Sequence, residues 1–246
     1  MVYELKEPSK VAGLFEGIED TGVYSCLQGV MGKVYVTDEA NPRSAMALCG
    51  AFAFYAGEPD KELVVNKPEG YIIMVPQNDG WAKLIEDNFP AYKRIRYAIK
   101  KGAKFDRAKL EAMVNALPEG YEIRRIDPEI YDVCRADPEL EDYVCVFETK
   151  EKFFELGRGF VVFKDEKIVS GASSYSRYNE GIEIECGTAK EERHKGLGSA
   201  VCAKLILSCL DDGLYPSWDA ANMMSVRLAE KLGYTFSHEY ICFGVE

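Results

Sequence analysis

Thr188-Ala189-Lys190-Glu191-Glu192-Arg193-His194-Lys195-Gly196-Leu197-Gly198-Ser199-Ala200 joins a strand-like pattern to an apolar helical one through a basic turn with two glycines. Upstream, Gly181 to Thr188 (GIEIECGT) alternates as a strand does. Downstream, Ser199 to Leu210 is apolar nearly all round, which predicts a helix packed on several sides. A helix start offers unpaired backbone N–H groups and a partial positive charge, and glycine lets a phosphate approach the main chain. The turn is therefore a candidate phosphate cradle, with Arg193 and Lys195 adding local positive charge. An RxxGxG turn alone is weak evidence, because basic glycine turns also serve simply to connect elements.

The rest of the second half reads in an orderly way. Gly159 to Phe163 is a strand, KDEK a hairpin turn and Ile168 to Ser176 its returning partner. Leu214 to Trp218 is a strand, Asn222 to Leu232 an amphipathic helix closed by Gly233, and Tyr234 to Val245 the last strand or strand pair. In the first half, Lys33 to Thr37, Ala45 to Tyr55 and Gly70 to Val75 have strand character, Trp81 to Phe89 reads as a short helix, and Tyr92 to Ile99 as a strand. Phe105 to Leu117 is a helix capped by Asp106, Tyr121 to Ile126 a strand, and Asp127 to Leu156 is helical again. The expected division is an N-terminal α/β accessory domain over 1–120 and a second domain over 121–246. No sequence repeat is apparent.

With 246 residues and 47% hydrophobic content the chain can bury a real core. No stretch approaches the roughly 20 apolar residues a membrane span needs, and the N-terminus lacks a signal-peptide pattern. No membrane partner and a cytoplasmic location are expected. A net charge of −11 disfavours nucleic acid and favours cations, so an amine substrate suits the overall field. Eight scattered cysteines without a CxxC pair, and only two histidines, read as core thiols and argue against a bound metal.

The turn and its flanks together resemble the acetyl-CoA motif of the GNAT acetyltransferases, with R/Q-x-x-G-x-G/A matched at Arg193, Gly196 and Gly198. The block WDAANMMSVRLAEKLGYTF is similar to a second GNAT signature, at Trp218, Asp219, Asn222, Ser225, Leu228, Lys231, Gly233 and Tyr234. From about Gly157 to Glu246 the chain looks like a bacterial group that includes zwittermicin-A-resistance-type proteins. The first domain resembles that group's accessory region in layout only, and a degenerate GNAT-like arrangement is one reading of it. The resemblance implies an α+β fold, a mixed, mostly antiparallel sheet splayed open after Gly181 to Thr188 and flanked by helices. Acetyl-CoA is the implied acyl donor. Backbone N–H groups of His194, Lys195, Gly196, Leu197, Gly198 and Ser199 would bind its pyrophosphate beside Arg193. The Thr188 backbone would meet the pantetheine or the acetyl carbonyl, and Asn222 and Ser225 the pantetheine arm or thiol. Asn222 reads equally well as a helix cap.

Acyl transfer to an amine needs a base. Glu183 and Glu185 are two apart on a strand and so share a face, while Ile182, Ile184 and Cys186 point the other way. They are the candidate base or amine-binding pair; a solvated strand face is the alternative. Many GNAT enzymes carry a tyrosine acid seven residues after the signature asparagine, where this chain has Ala229. Tyr234, carried forward as the catalytic candidate, Tyr240, Tyr215 or a water could take its place. Cys186 has no histidine at nucleophile spacing. The expected function is acetyl transfer from acetyl-CoA to a primary amine of a small molecule, by direct attack in a ternary complex. The alternative is a CoA-binding sensor without chemistry.

Overall fold

A computed structural model describes all 246 residues. In chain order it contains β1 (Tyr3–Glu4), α1 (Thr21–Leu27), β2 (Lys33–Val36), β3 (Ser44–Cys49), β4 (Phe52–Gly57), α2 (Lys61–Val65), β5 (Ile72–Pro76), α3 (Asp79–Asn88) and β6 (Tyr92–Ile99). The chain continues through α4 (Arg107–Asn115), β7 (Tyr121–Arg125), α5 (Pro128–Ala136), α6 (Lys150–Leu156), β8 (Gly159–Lys164), β9 (Lys167–Tyr178) and β10 (Gly181–Thr188). It ends with α7 (Leu197–Asp211), β11 (Tyr215–Ser217), β12 (Asp219–Ala220), α8 (Met223–Leu232) and β13 (Phe236–Val245). Short 3-10 helices occupy Pro8–Phe15, Glu141–Tyr143 and Lys190–Glu192. None of the eight cysteines forms a disulfide. No helix is long and apolar enough to cross a membrane.

Two compact units divide the chain. The first is Met1–Arg96 with Arg177–Asn179 and Glu239–Glu246; the second is Tyr97–Ser176 with Glu180–His238. The boundary therefore falls well before the expected 120/121 division, and the last eight residues belong to the first unit. Packing explains the shift. Leu110 of α4 is fully buried in the same core as Val201 and Leu205 of α7, so α4 belongs with the second unit. At the other end, Phe243 and Val245 sit in the core built by Met46, Leu63, Met74 and Trp81.

In the first unit β2, β3 and β4 form an antiparallel meander, and β5 pairs parallel to β4 after the crossover through α2. The second unit has the same plan: β8, β9 and β10 are sequential neighbours, and β11 pairs parallel to β10 after the crossover through α7. This topological repeat is invisible as sequence similarity. The second unit's sheet runs in the order β11-β10-β9-β8-β7. One face carries Phe160, Val162, Ala172, Ile182 and Ile184 against α7, whose Ala200, Val201, Cys202, Leu205, Ile206 and Cys209 are buried. An all-round apolar helix is what such many-sided packing requires.

Candidate active site

The β10–β11 pair is short. Gly181, Ile182 and Glu183 pair with Tyr215, Pro216 and Ser217, while β10 continues to Thr188. Beyond Glu183 the sheet is split. Ala189 N–H donates to Val169 O at 2.9 Å, so β10 residues of the opposite parity, Ile184, Cys186 and Thr188, turn their backbone groups towards the split. Side chains hold two of those groups: Glu185 Oε1 accepts from Cys186 N–H at 3.0 Å, and Arg193 Nε donates to Thr188 O at 3.1 Å.

The turn into α7 adopts a backbone suited to anions. His194 and Gly196 both hold positive φ, 64° and 86°, and Gly196 is the helix N-cap with no side-chain cap. Left-handed residues interleaved in a turn curl successive N–H groups into a concave nest, and the first-turn amides of α7 have no capping oxygen. Nothing lies within 4 Å of where a Gly196 Cβ would stand, so the cradle is open. Gly198 is more enclosed: a Cβ there would stand 3.4 Å from Thr188 Oγ1 and 3.8 Å from Leu228 Cδ2, in ordinary contact with β10 and α8.

The cations are distributed differently from expectation. Lys195 does not join Arg193 at the split. Its Nζ lies 2.7 Å from Glu192 Oε2 and 3.3 Å from the Tyr121 hydroxyl, while Lys164 Nζ holds Glu192 Oε1 at 2.9 Å. Tyr121 also donates to Glu192, at 2.5 Å. Lys195, then Tyr121 and Lys164, hold the Glu192 carboxyl down at about 2. This cluster pins the turn to β7 and β8. A cation that the second signature contains, but to which it assigns no role, does reach α7: Lys231 Nζ, from α8, donates to Ser199 Oγ at 2.9 Å.

Asn222 caps α8, accepting from Ser225 N–H at 3.0 Å. Ser225 Oγ accepts from Trp218 Nε1 at 3.0 Å, which leaves its hydroxyl hydrogen for another acceptor. Glu183 and Glu185 are half-buried, and Glu183 Oε1 is closed off from solvent. Ile182 and Ile184 pack into the α7 core, so the two carboxylates share the opposite face, as alternation requires.

Tyr234 occupies a different place from the one a proton donor needs. It is buried, packed on Trp218 and Phe105, and its hydroxyl donates to Pro216 O at 2.6 Å. Burial raises its pKa well above the ordinary value. That geometry clamps β11 and commits the proton to a backbone carbonyl. Tyr215 accepts from Ala103 N–H at 3.0 Å, Tyr240 belongs to the first unit, and Ala229 is fully buried in α8. An open, uncapped helix start leading to a split strand edge beside two carboxylates suits an acyltransferase that handles a nucleotide-carried thioester.

A family model described as GNAT acetyltransferase matches residues 12–243, and the chain belongs to that family. It is 41% identical to a GCN5-related N-acetyltransferase-like protein from Streptococcus suis 89/1591, whose structure superposes with a TM-score of 0.92 over 98% of this chain and 99% of that one. It is 27% identical to an uncharacterized N-acetyltransferase, YdfB, of Bacillus subtilis (strain 168), over 91% of this chain and 89% of the relative. A tandem GNAT protein from the clavulanic acid biosynthesis pathway, 12% identical with a TM-score of 0.52 over 100% of this chain and 98% of that one, shares the fold. The fold is thus the GNAT acyltransferase fold, and the family's donor is acetyl-CoA.

Proposed function

We propose that this protein moves an acetyl group from acetyl-CoA to a primary amine of a small molecule, by direct attack in a ternary complex. The observation that carries the reading is the juxtaposition of an open, uncapped anion cradle at Gly196 with a split strand edge whose neighbouring face bears Glu183 and Glu185. The pyrophosphate lies on the N–H groups from His194 to Ser199, with Arg193 and Lys231 supplying charge. The pantetheine arm takes the β10 edge in place of the Arg193 and Glu185 contacts, and Ser225 donates to it. Displaced from Cys186 N–H, the Glu185 carboxylate is released towards the amine, and the freed N–H donates to the acetyl carbonyl oxygen.

In the chemical step the amine nitrogen attacks the thioester carbonyl carbon. The C–N bond forms, the C–S bond breaks with its electron pair going to sulfur, and the amine proton passes to Glu183 or Glu185. The acidic chain favours cationic acceptors, in keeping with an amine-bearing antibiotic or metabolite.

Incubation with acetyl-CoA and a broad amine panel, with release of free thiol followed, tests the proposal. Turnover on at least one amine is expected, and Glu183→Gln with Glu185→Gln should lower kcat by about 100-fold or more. Tight acetyl-CoA binding without turnover on any amine would instead favour a CoA-binding sensor, the reading that Ala229 at the usual acid position supports.

A further inference from the structure

Tyr143 was not singled out by any motif, yet the second unit is shaped around it. It ends the 3-10 turn Glu141–Tyr143 and is 6% exposed. Its ring lies on β9 and β10 at two glycines. A Cβ on Gly171 would stand 2.7 Å from ring atoms, and one on Gly187 would stand 2.8 Å from the hydroxyl. Neither glycine has positive φ, so backbone conformation does not demand glycine at either position. The ring does.

The position of that hydroxyl is informative. Gly187 shares a strand face with Glu185 and Glu183, two and four residues earlier, so the phenol and both carboxylates lie on one side of β10. Gly187 also lies between Cys186 and Thr188, whose backbone groups face the split. Buried tyrosine hydroxyls usually find a partner, but Tyr143 donates only through its backbone N–H, to Leu140 O at 3.1 Å, and its hydroxyl faces Gly187 without a protein acceptor. Ser173, fully buried on the same face of β9 two residues beyond Gly171, likewise has a hydroxyl without a partner. Burial pushes the Tyr143 phenol far above its ordinary range, so it stays protonated and remains a donor at every working pH.

We propose that Tyr143 is a catalytic hydrogen-bond donor to the sulfur of the acyl donor, stabilising the negative charge that gathers there as the thiolate leaves. This rests on the acetyl-CoA reading above. Tyr143 keeps its proton throughout. The electron pair of the broken C–S bond stays on sulfur, and the amine proton goes to a carboxylate. The phenol supplies the stabilisation of the leaving group that Ala229 cannot.

The experiment measures the ionisation of bound CoA and needs no acceptor. CoA is titrated on the protein by its thiolate absorbance, with the S-methyl analogue as the blank for the protein's own cysteines. In Tyr143→Phe the ring still fills the glycine slot, and the thermal midpoint is unchanged because no protein hydrogen bond is lost. The pKa of the bound thiol rises by about one unit, as expected for loss of one hydrogen bond to a charged group. With an amine that turns over, kcat falls by about tenfold or more while the KM for acetyl-CoA changes by less than about twofold. Gly187→Ala, which pushes the hydroxyl away, shifts the thiol in the same direction. If CoA binds to wild type and to Tyr143→Phe and its thiol titrates identically on both, the role of Tyr143 is wrong and the acyltransferase reading stands. If wild type binds no CoA, both readings fail.

Discussion

Gly196 separates conformational cost from steric cost. Its φ of 86° strains any L side chain, while the space around its Cβ position is empty. Gly196→Ala should therefore cost only about 1–2 kcal/mol of stability. The methyl group would stand where a phosphate approaches the nest, so affinity for acetyl-CoA should fall by more than about tenfold, measured by calorimetry. Unchanged affinity in the folded variant would remove the cradle from the pyrophosphate. Glu192 gives a second prediction, with a sign. Its folded pKa of about 2 lies below the ordinary 4.5, so its stabilising contribution is complete above pH 4.5 and is lost as pH falls towards 2. Thermal stability should be insensitive to this group from pH 5 to 8 and fall as pH drops from about 4.5 towards 2, a fall that Glu192→Gln, already less stable at pH 7, should lack. Arg193, Gly196 and Gly198 are legible because the geometry they set is local to one turn. The Glu192 cluster was not, since Tyr121 and Lys164 come from β7 and β8 and no spacing rule links them to Lys195.

At the scale of elements, long segments with a sustained period were readable. Strand β6, helix α7 and helix α8 fall where alternation and apolar faces put them. Helices α1 and α2 escaped, because seven and five residues give too few turns for a period to show. Their caps, Asp20 and Asp60, were the available signal. The start of α8 poses the sharper question, since one residue reads both as cap and as ligand. Asn222→Asp retains a side-chain oxygen for Ser225 N–H, whereas Asn222→Ala loses the cap and about 1 kcal/mol. If Asn222 also touches the pantetheine arm through its amide N–H groups, the Asp variant should melt as wild type does and yet bind acetyl-CoA more weakly. Equal affinity for wild type and Asp variant would leave Asn222 a cap alone.

Across the whole molecule the same strand plan is built twice, and the two copies differ in their crossover and in how far the last strand pairs. The first unit crosses from β4 to α2 through Gly57-Glu58-Pro59-Asp60-Lys61, an acidic link with no glycine pair at the helix start. There β4 and β5 pair through Phe52–Tyr55 and Ile73–Pro76, so nearly the whole of β4 is occupied and no edge opens. In the second unit the crossover is basic and glycine-bearing, and β11 leaves most of β10 uncovered. Periodicity gave the elements of both copies. The repeat itself was hidden because topology depends on which edges pair, and different residues satisfy that pairing equally well. The difference in pairing predicts where a donor acts. Ligand present at about 100 times its Kd stabilises the bound form by about 2.7 kcal/mol, so amides that exchange only through openings that release the donor slow by about 100-fold. With acetyl-CoA, protection should rise in Ile184 to Thr188 and His194 to Ala203. Amides of β3, β4 and β5, in the copy without a split, should keep their rates. Hydrogen exchange read peptide by peptide distinguishes this from a donor seated on the first unit, which would protect β4 and β5 while leaving β10 and the start of α7 unchanged.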